Sequence, residues 1–137
     1  DNFIHKVTAN VKGKKLAGWG LAFKPNTDDI RFAPAVYIIE DLLKMGYEIT
    51  AFDPAAMANV RRTIGDKITY VDDMYEAVED ADALLIFTEW NEFKQANLER
   101  VKKSLNEPLI IDGRNLYQPQ EMKDKGFTYI STGRNAV

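Results

Sequence analysis

The sequence predicts an α/β fold, a doubly wound and mostly parallel six-stranded sheet with helices on both faces. Three observations predict it. Short apolar, β-branched runs alternate with helical stretches along the chain. One run, Ala83 to Phe87, is apolar at nearly every position, as a parallel strand covered on both sides should be. The connections are short enough for right-handed crossovers onto a single sheet.

Each element has its own reason. Residues 1–14 show no clear period and read as a lead-in segment, a truncated upstream element, ahead of one α/β domain over 15–137. Lys15 to Trp19 is the first strand, running into Gly18-Trp19-Gly20. A polar loop follows to Ala33, holding Pro25, Asn26, Thr27, Asp28 and Asp29. Pro34 suits the first position of a helix, where its missing N–H is not needed. Val36, Ile39 and Leu43 share one face of that helix, and Gly46 suits its left-handed stop. Tyr47 to Phe52 alternates as a strand and ends at Asp53-Pro54. Helices are expected over Ala55 to Ile64, Asp73 to Glu79, Asn97 to Leu105 and Pro119 to Lys125. Strands are expected at Ile68 to Val71, Leu109 to Ile111 and Phe127 to Ile130. The whole reads as Rossmann-like.

Composition excludes several classes. The 137 residues correspond to a folded surface of ~7,200 Å² against ~22,600 Å² unfolded, enough burial for one core. Eighteen basic residues against 21 acidic ones give −3, without the basic footprint of a nucleic-acid-binding domain. No apolar run is long enough for a membrane helix, and no secretion signal is visible. The chain has no cysteine, which removes disulfides, thiolate metal sites and a cysteine nucleophile from it and fits a reducing, cytoplasmic setting. The one histidine, His5, has no partners for a metal site.

In such sheets ligands bind beyond the carboxyl ends of the strands, where the strand order reverses. For the order 3-2-1-4-5-6, loops 20–33, 88–93 and 112–117 meet there, and they are the most polar parts of the chain. Gly18-Trp19-Gly20-Leu21-Ala22-Phe23 starts like a dinucleotide fingerprint but has Phe23 in place of the third glycine. The helix also waits until Pro34, too late to receive a pyrophosphate on its N-terminus. Asp53 mimics the ribose-binding acid, yet it is better explained as a cap before Pro54.

The loops offer a different chemistry. Phe23 is a flat apolar face beside the point cation of Lys24, Arg31 follows near the helix start, and Arg114 follows Asp112-Gly113. Cations converging with an aromatic suit a nucleotide diphosphate. The competing arrangement pairs Lys24 and Arg31 with Asp28 and Asp29 inside the loop, and leaves Arg114 in a surface ion pair. Trp90 either stacks on a base or packs the sheet end.

Gly20-Leu21-Ala22-Phe23-Lys24-Pro25-Asn26-Thr27-Asp28-Asp29-Ile30-Arg31, followed by Ala33-Pro34-Ala35, resembles the opening of the C-terminal, UDP-binding domain of UDP-glucose 6-dehydrogenases. Phe52-Asp53-Pro54, Thr88-Glu89-Trp90-Asn91-Glu92-Phe93, Asp112-Gly113-Arg114-Asn115 and the ending Tyr129 to Arg134 follow in that family's order. The resemblance covers about residues 12–134. It implies a part in oxidising UDP-glucose to UDP-glucuronate with two NAD⁺, the NAD held mainly by an N-terminal domain absent from this chain. It further implies a full-length protein with a central helix and a homodimeric state. By the same resemblance Phe23 and Lys24 contact the UDP-sugar, with Arg114 beside the substrate and Arg31 reaching the NAD phosphates. Trp90 and Glu89 would shape the pocket floor. No catalytic residue and no metal ligand are expected within the chain. Phe32 departs from the acid or small polar residue that many relatives carry after the loop arginine. A relative acting on UDP-N-acetylmannosamine or GDP-mannose, and a free-standing nucleotide-binding module without catalysis, stay open as alternatives.

Overall fold

A computed structural model describes residues 2–133 and 137. Six strands form one sheet: β1 (Lys15–Trp19), β2 (Glu48–Phe52), β3 (Thr69–Tyr70), β4 (Ala83–Ile86), β5 (Leu109–Asp112) and β6 (Thr128–Ser131). Their order is β3-β2-β1-β4-β5-β6, and every pairing is parallel. The chain therefore winds outward in one direction from β1, returns, and winds outward in the other from β4. Leu16 pairs with Ile49 on one side and Ala83 on the other, which fixes the register at the centre.

The helices are α1 (Asn2–Asn10), α2 (Pro34–Lys44), α3 (Met57–Ile64), α4 (Met74–Ala77), α5 (Asn91–Lys94), α6 (Leu98–Ser104) and α7 (Pro119–Asp124). Two apolar clusters lie on opposite faces of the sheet. One gathers Leu16, Ile39, Leu42, Ile49, Val60, Leu85 and Ile111, and the other Trp19, Leu84, Ile86, Phe93, Val101, Ile110 and Tyr129. Alternate residues of β4 and β5 thus feed alternate faces, which is why both strands are apolar throughout. Trp19 is fully buried, stacks on Phe93 at 5.0 Å and donates its Nε1–H to the Met74 carbonyl at 2.8 Å.

The lead-in segment contains a helix, α1, that its lack of a clear period does not announce. Ile4, Val7 and Val11 fall at helical spacing and reach the first cluster, while the Phe3 ring meets Phe87 at 5.2 Å. Polar neighbours diluted that spacing in the sequence. Elsewhere the elements fall where expected to within one or two residues. Asp73 and Asn97 serve as N-caps, accepting from Tyr75 N and Arg100 N. Residues 91–94, expected as loop, make one helical turn.

Candidate functional site

The switch in strand order lies between β1 and β4, so the loops after them share the carboxyl edge of the sheet. The β1 loop begins at Gly20, whose φ of +89° is a left-handed turn. A Cβ there would stand 2.5 Å from the Thr88 side chain, so only glycine lets the two loops approach this closely. Gly20 N–H donates to the Phe52 carbonyl at 2.9 Å. Leu21 and Ala22 N–H donate to Asp53 Oδ2 at 2.6 and 3.2 Å, and Thr88 Oγ1 donates to the Ala22 carbonyl at 2.7 Å.

Asp53 is a cap, but not of α3 itself. Its Oδ1 accepts from Ala55 and Ala56 N–H at 2.8 and 2.7 Å, closing the turn before the helix starts at Met57. Its other oxygen holds the β1 loop. With only 1% of its surface exposed and both oxygens committed, it is not placed as a ribose acceptor. The amides it holds are those of the glycine turn. The dinucleotide fingerprint fails in geometry as well as in sequence.

Beyond Ala22 the loop turns outward. Phe23 is 47% exposed, and Lys24 is exposed with no hydrogen-bond or ion-pair partner among the described residues. Phe23 N–H donates to the Asp29 carbonyl at 3.2 Å, and Asn59 Nδ2 on α3 donates to the Asp28 carbonyl at 2.8 Å, so the loop is closed and pinned. Arg31 takes the arrangement internal to the loop. Its Nε and Nη2 lie 3.1 and 2.9 Å from Asp29 Oδ1 and Oδ2, and its backbone N–H donates to Oδ1 at 2.9 Å. These hydrogen bonds lower the Asp29 pKa from 3.8 to about 2. Phe32 is 82% exposed at a φ of +61°, a region costly for any residue with a Cβ.

The β5 loop is built around Asp112, which is 1% exposed. Its Oδ1 accepts from Arg114 N–H at 2.8 Å; its Oδ2 accepts from Leu116 N–H at 2.7 Å and from the Tyr129 hydroxyl at 2.6 Å. Asn115, at a φ of +57°, clamps both backbone groups of Thr132 at 3.0 and 3.1 Å. Tyr117 donates its hydroxyl to the Phe93 carbonyl at 2.6 Å, and burial pushes its pKa up. The Arg114 side chain is thereby aimed at the β4 loop, where Nη2 and Nε meet Glu89 Oε2 at 2.6 and 3.2 Å. Both side chains are about one-third exposed or less. Burial acts to raise the Glu89 pKa, but the hydrogen bonds from Arg114 and the nearby cations leave it below the ordinary value.

Trp90 packs against the cluster containing Phe93, and its carbonyl accepts from Phe93 and Lys94 N–H as α5 begins. Glu89 Oε1 and Trp90 Nε1 are buried, and no hydrogen bond reaches them among the described residues. Buried polar atoms normally have a partner in protein or water, so these two neighbours offer one acceptor and one donor at this edge.

The three loops are thus joined in sequence: Ala22 to Thr88, then its neighbour Glu89 to Arg114. The candidate residues among those described are spread over separate recesses. Arg114 lines a recess of about 110 Å³ with Phe3, Pro34, Ile86 and Gly113. Arg31 lines a separate groove of about 630 Å³ with Thr27, Asp28, Asn59 and Arg62. Phe23, Lys24 and Trp90 line neither. Sequence reasoning missed Thr88 and the loop-facing oxygen of Asp53, because partners 66 and 32 residues away leave no local pattern. Arg134, which ends the resembling segment, lies outside the described residues.

Comparison with known proteins gives this edge a context. Residues 17–119 match the model of the UDP-glucose/GDP-mannose dehydrogenase family, UDP binding domain. UDP-glucose 6-dehydrogenase TuaD of Bacillus subtilis (strain 168) is 47% identical over 131 residues, covering 96% of this chain and 28% of that protein. Among solved structures, a UDP-glucose dehydrogenase from the hyperthermophilic archaeon Pyrobaculum islandicum superposes with a TM-score of 0.73 at 27% identity, covering 96% of this chain and 28% of that one. A UDP-D-ManNAc dehydrogenase from Pyrococcus horikoshii gives 0.72 at 30% identity, covering 99% and 29%. The chain spans less than a third of the length of each of these relatives. A family model matched from the first strand into the last helix, on a sheet wound in the order described, carries the assignment: this chain belongs to the UDP-glucose/GDP-mannose dehydrogenase family, as its UDP binding domain.

Proposed function

We propose that this chain binds the nucleotide of UDP-glucose within an NAD-dependent UDP-glucose 6-dehydrogenase. The whole protein would convert UDP-glucose, two NAD⁺ and water to UDP-glucuronate and two NADH. The observation that carries the reading is the joined carboxyl edge. There a loop holding Phe23 and Lys24, whose ammonium has no hydrogen-bond or ion-pair contact among the described residues, is tied through Thr88 and Glu89 to Arg114. In this reading Lys24 supplies a point charge to the phosphates and Phe23 an apolar face. Arg114 presents guanidinium donors whose other edge is held by Glu89. The unmet atoms of Glu89 and Trp90 support a polar ligand at the same edge. The scattered cavities support an open half-site, shared with the rest of a longer protein.

The chain's own residues do not fit NAD at the switch point, since Asp53 holds the turn amides and Phe23 replaces the third glycine. NAD chemistry is therefore assigned to another domain. Arg31 remains the residue proposed to reach the cofactor phosphates, with the guanidinium edge that Asp29 does not hold. The chain has no cysteine to offer as a nucleophile, and no turnover is expected of it alone. A second reading, with UDP-N-acetylmannosamine as substrate, is favoured by the likeness to the Pyrococcus horikoshii enzyme.

Calorimetric titration with UDP, GDP and NAD⁺ tests the reading. UDP binding alone supports it, and NAD⁺ binding to the isolated chain overturns it. In the full-length protein Lys24→Ala and Arg114→Ala should each remove about 1.5–3 kcal/mol of UDP-sugar affinity, roughly ten- to hundredfold. Wild-type affinity in both would place the nucleotide elsewhere.

A further inference from the structure

No side-chain hydrogen bond of Phe23 or Lys24 is found among the described residues, so their position is set by the backbone beneath them. That backbone is unusually well determined at its root. Leu21 and Ala22 are fully buried, and the groups that fix them are buried too, Asp53 at 1% and Thr88 at 0% exposure. Asp53 takes both amides from the β2 side, and Thr88 reaches the Ala22 carbonyl from the β4 side at 2.7 Å. Ala22, the residue immediately before Phe23, is thus gripped at its N–H from the β2 side and at its carbonyl from the β4 side. The Phe23 N–H closes the far side on the Asp29 carbonyl.

We propose that Thr88 and Asp53 are positioning residues for nucleotide binding. They act through the Ala22 peptide to fix where Phe23 and Lys24 stand, and touch no ligand themselves. This rests on the reading that Phe23 and Lys24 contact UDP. A carbonyl with a second lone pair tolerates the loss of one donor more easily than a buried amide tolerates the loss of its acceptor. Thr88 is therefore the position where placement can be disturbed with the least damage to the fold. Thr88→Val keeps shape and volume and removes only the hydroxyl, and Thr88→Ser restores it.

The experiment uses the full-length protein and reads UDP affinity by calorimetry, together with the melting temperature and the KM for NAD⁺. Thr88→Val should weaken UDP about fivefold, the equivalent of one neutral hydrogen bond. Thr88→Ser should return to within about twofold of wild type, with the KM for NAD⁺ unmoved in both. A purely structural role would lower the melting temperature and leave the affinity of the folded protein unchanged, and that result overturns the proposal. If the valine variant does not fold, Thr88→Ala, which relieves rather than fills the position, is read in the same way. Lys24→Ala runs alongside as the reference. Wild-type affinity in Lys24→Ala refutes the site itself, whereas a weakened Lys24→Ala beside an unchanged Thr88→Val refutes only the positioning role.

Discussion

Tyr129→Phe removes a single oxygen from the middle of the β5–β6 edge. In the native protein that hydroxyl donates to Asp112 Oδ2 at 2.6 Å, and it lies 3.3 Å from both backbone groups of Tyr117. The ring is fully buried and stays in place, so the change is confined to the volume and bonds of one oxygen. What is lost is one short hydrogen bond to a carboxylate, worth about 1.5–3 kcal/mol. The two Tyr117 contacts are long and add little. For a domain of this length that loss lowers the melting temperature by roughly 5–10 °C. Thermal unfolding followed by circular dichroism on the isolated chain measures it, with Tyr117→Phe as the internal comparison. Tyr117 gives its hydroxyl to a neutral carbonyl, so its loss should cost about 0.5–1.5 kcal/mol, clearly less. If Tyr129→Phe melts within about 2 °C of wild type, or if Tyr117→Phe is the more damaging, Asp112 is not the keystone of this loop and the reasoning fails.

Other outcomes follow from the β1 loop. Phe32→Gly should stabilise the chain by about 0.5–1 kcal/mol, because the ring is 82% exposed and its φ of +61° penalises a Cβ; a lower melting temperature would show that the ring's cover over Ile30 and Val36 matters more. Asp29 should titrate near pH 2 by carboxyl-detected NMR and return towards 3.8 in Arg31→Ala. Because its folded-state pKa is depressed, whatever the pair contributes is present above the unfolded value and is lost as pH falls through about 2. An Asp29 midpoint insensitive to Arg31 would mean that the pair does not persist in solution.

The sheet was legible because the central strands announce themselves by apolar content, and because short connections leave few topologies open. The strand order does not follow from that rhythm; 3-2-1-4-5-6 enters as the order common in doubly wound sheets, and the structure has it, with loops 20–33, 88–93 and 112–117 on one edge. Three things were not legible. Helix α1 carries its apolar residues at Phe3, Ile4 and Val7 amid polar ones, a stripe too narrow to stand out before its partner α2 is known. Asp53 gave a cap signal through Pro54, but its second oxygen answers to amides 31 and 32 residues earlier. Arg114 is matched to Glu89 across 25 residues, a pairing that only the adjacency of β4 and β5 creates. Local chemistry can be read along the chain, while partners chosen by the sheet cannot.

The two tryptophans divide the molecule optically. Trp19 lies wholly inside, stacked on Phe93 with its ring nitrogen engaged, and so senses the packing of the sheet and nothing in the solvent. Trp90 stands half-buried at the edge where the loops join. An aqueous quencher such as iodide should dim the second and spare the first, and Trp90→Phe leaves a chain whose emission reports unfolding alone. The difference between the two traces is then a built-in signal for whatever arrives at the carboxyl edge, read without attaching a dye.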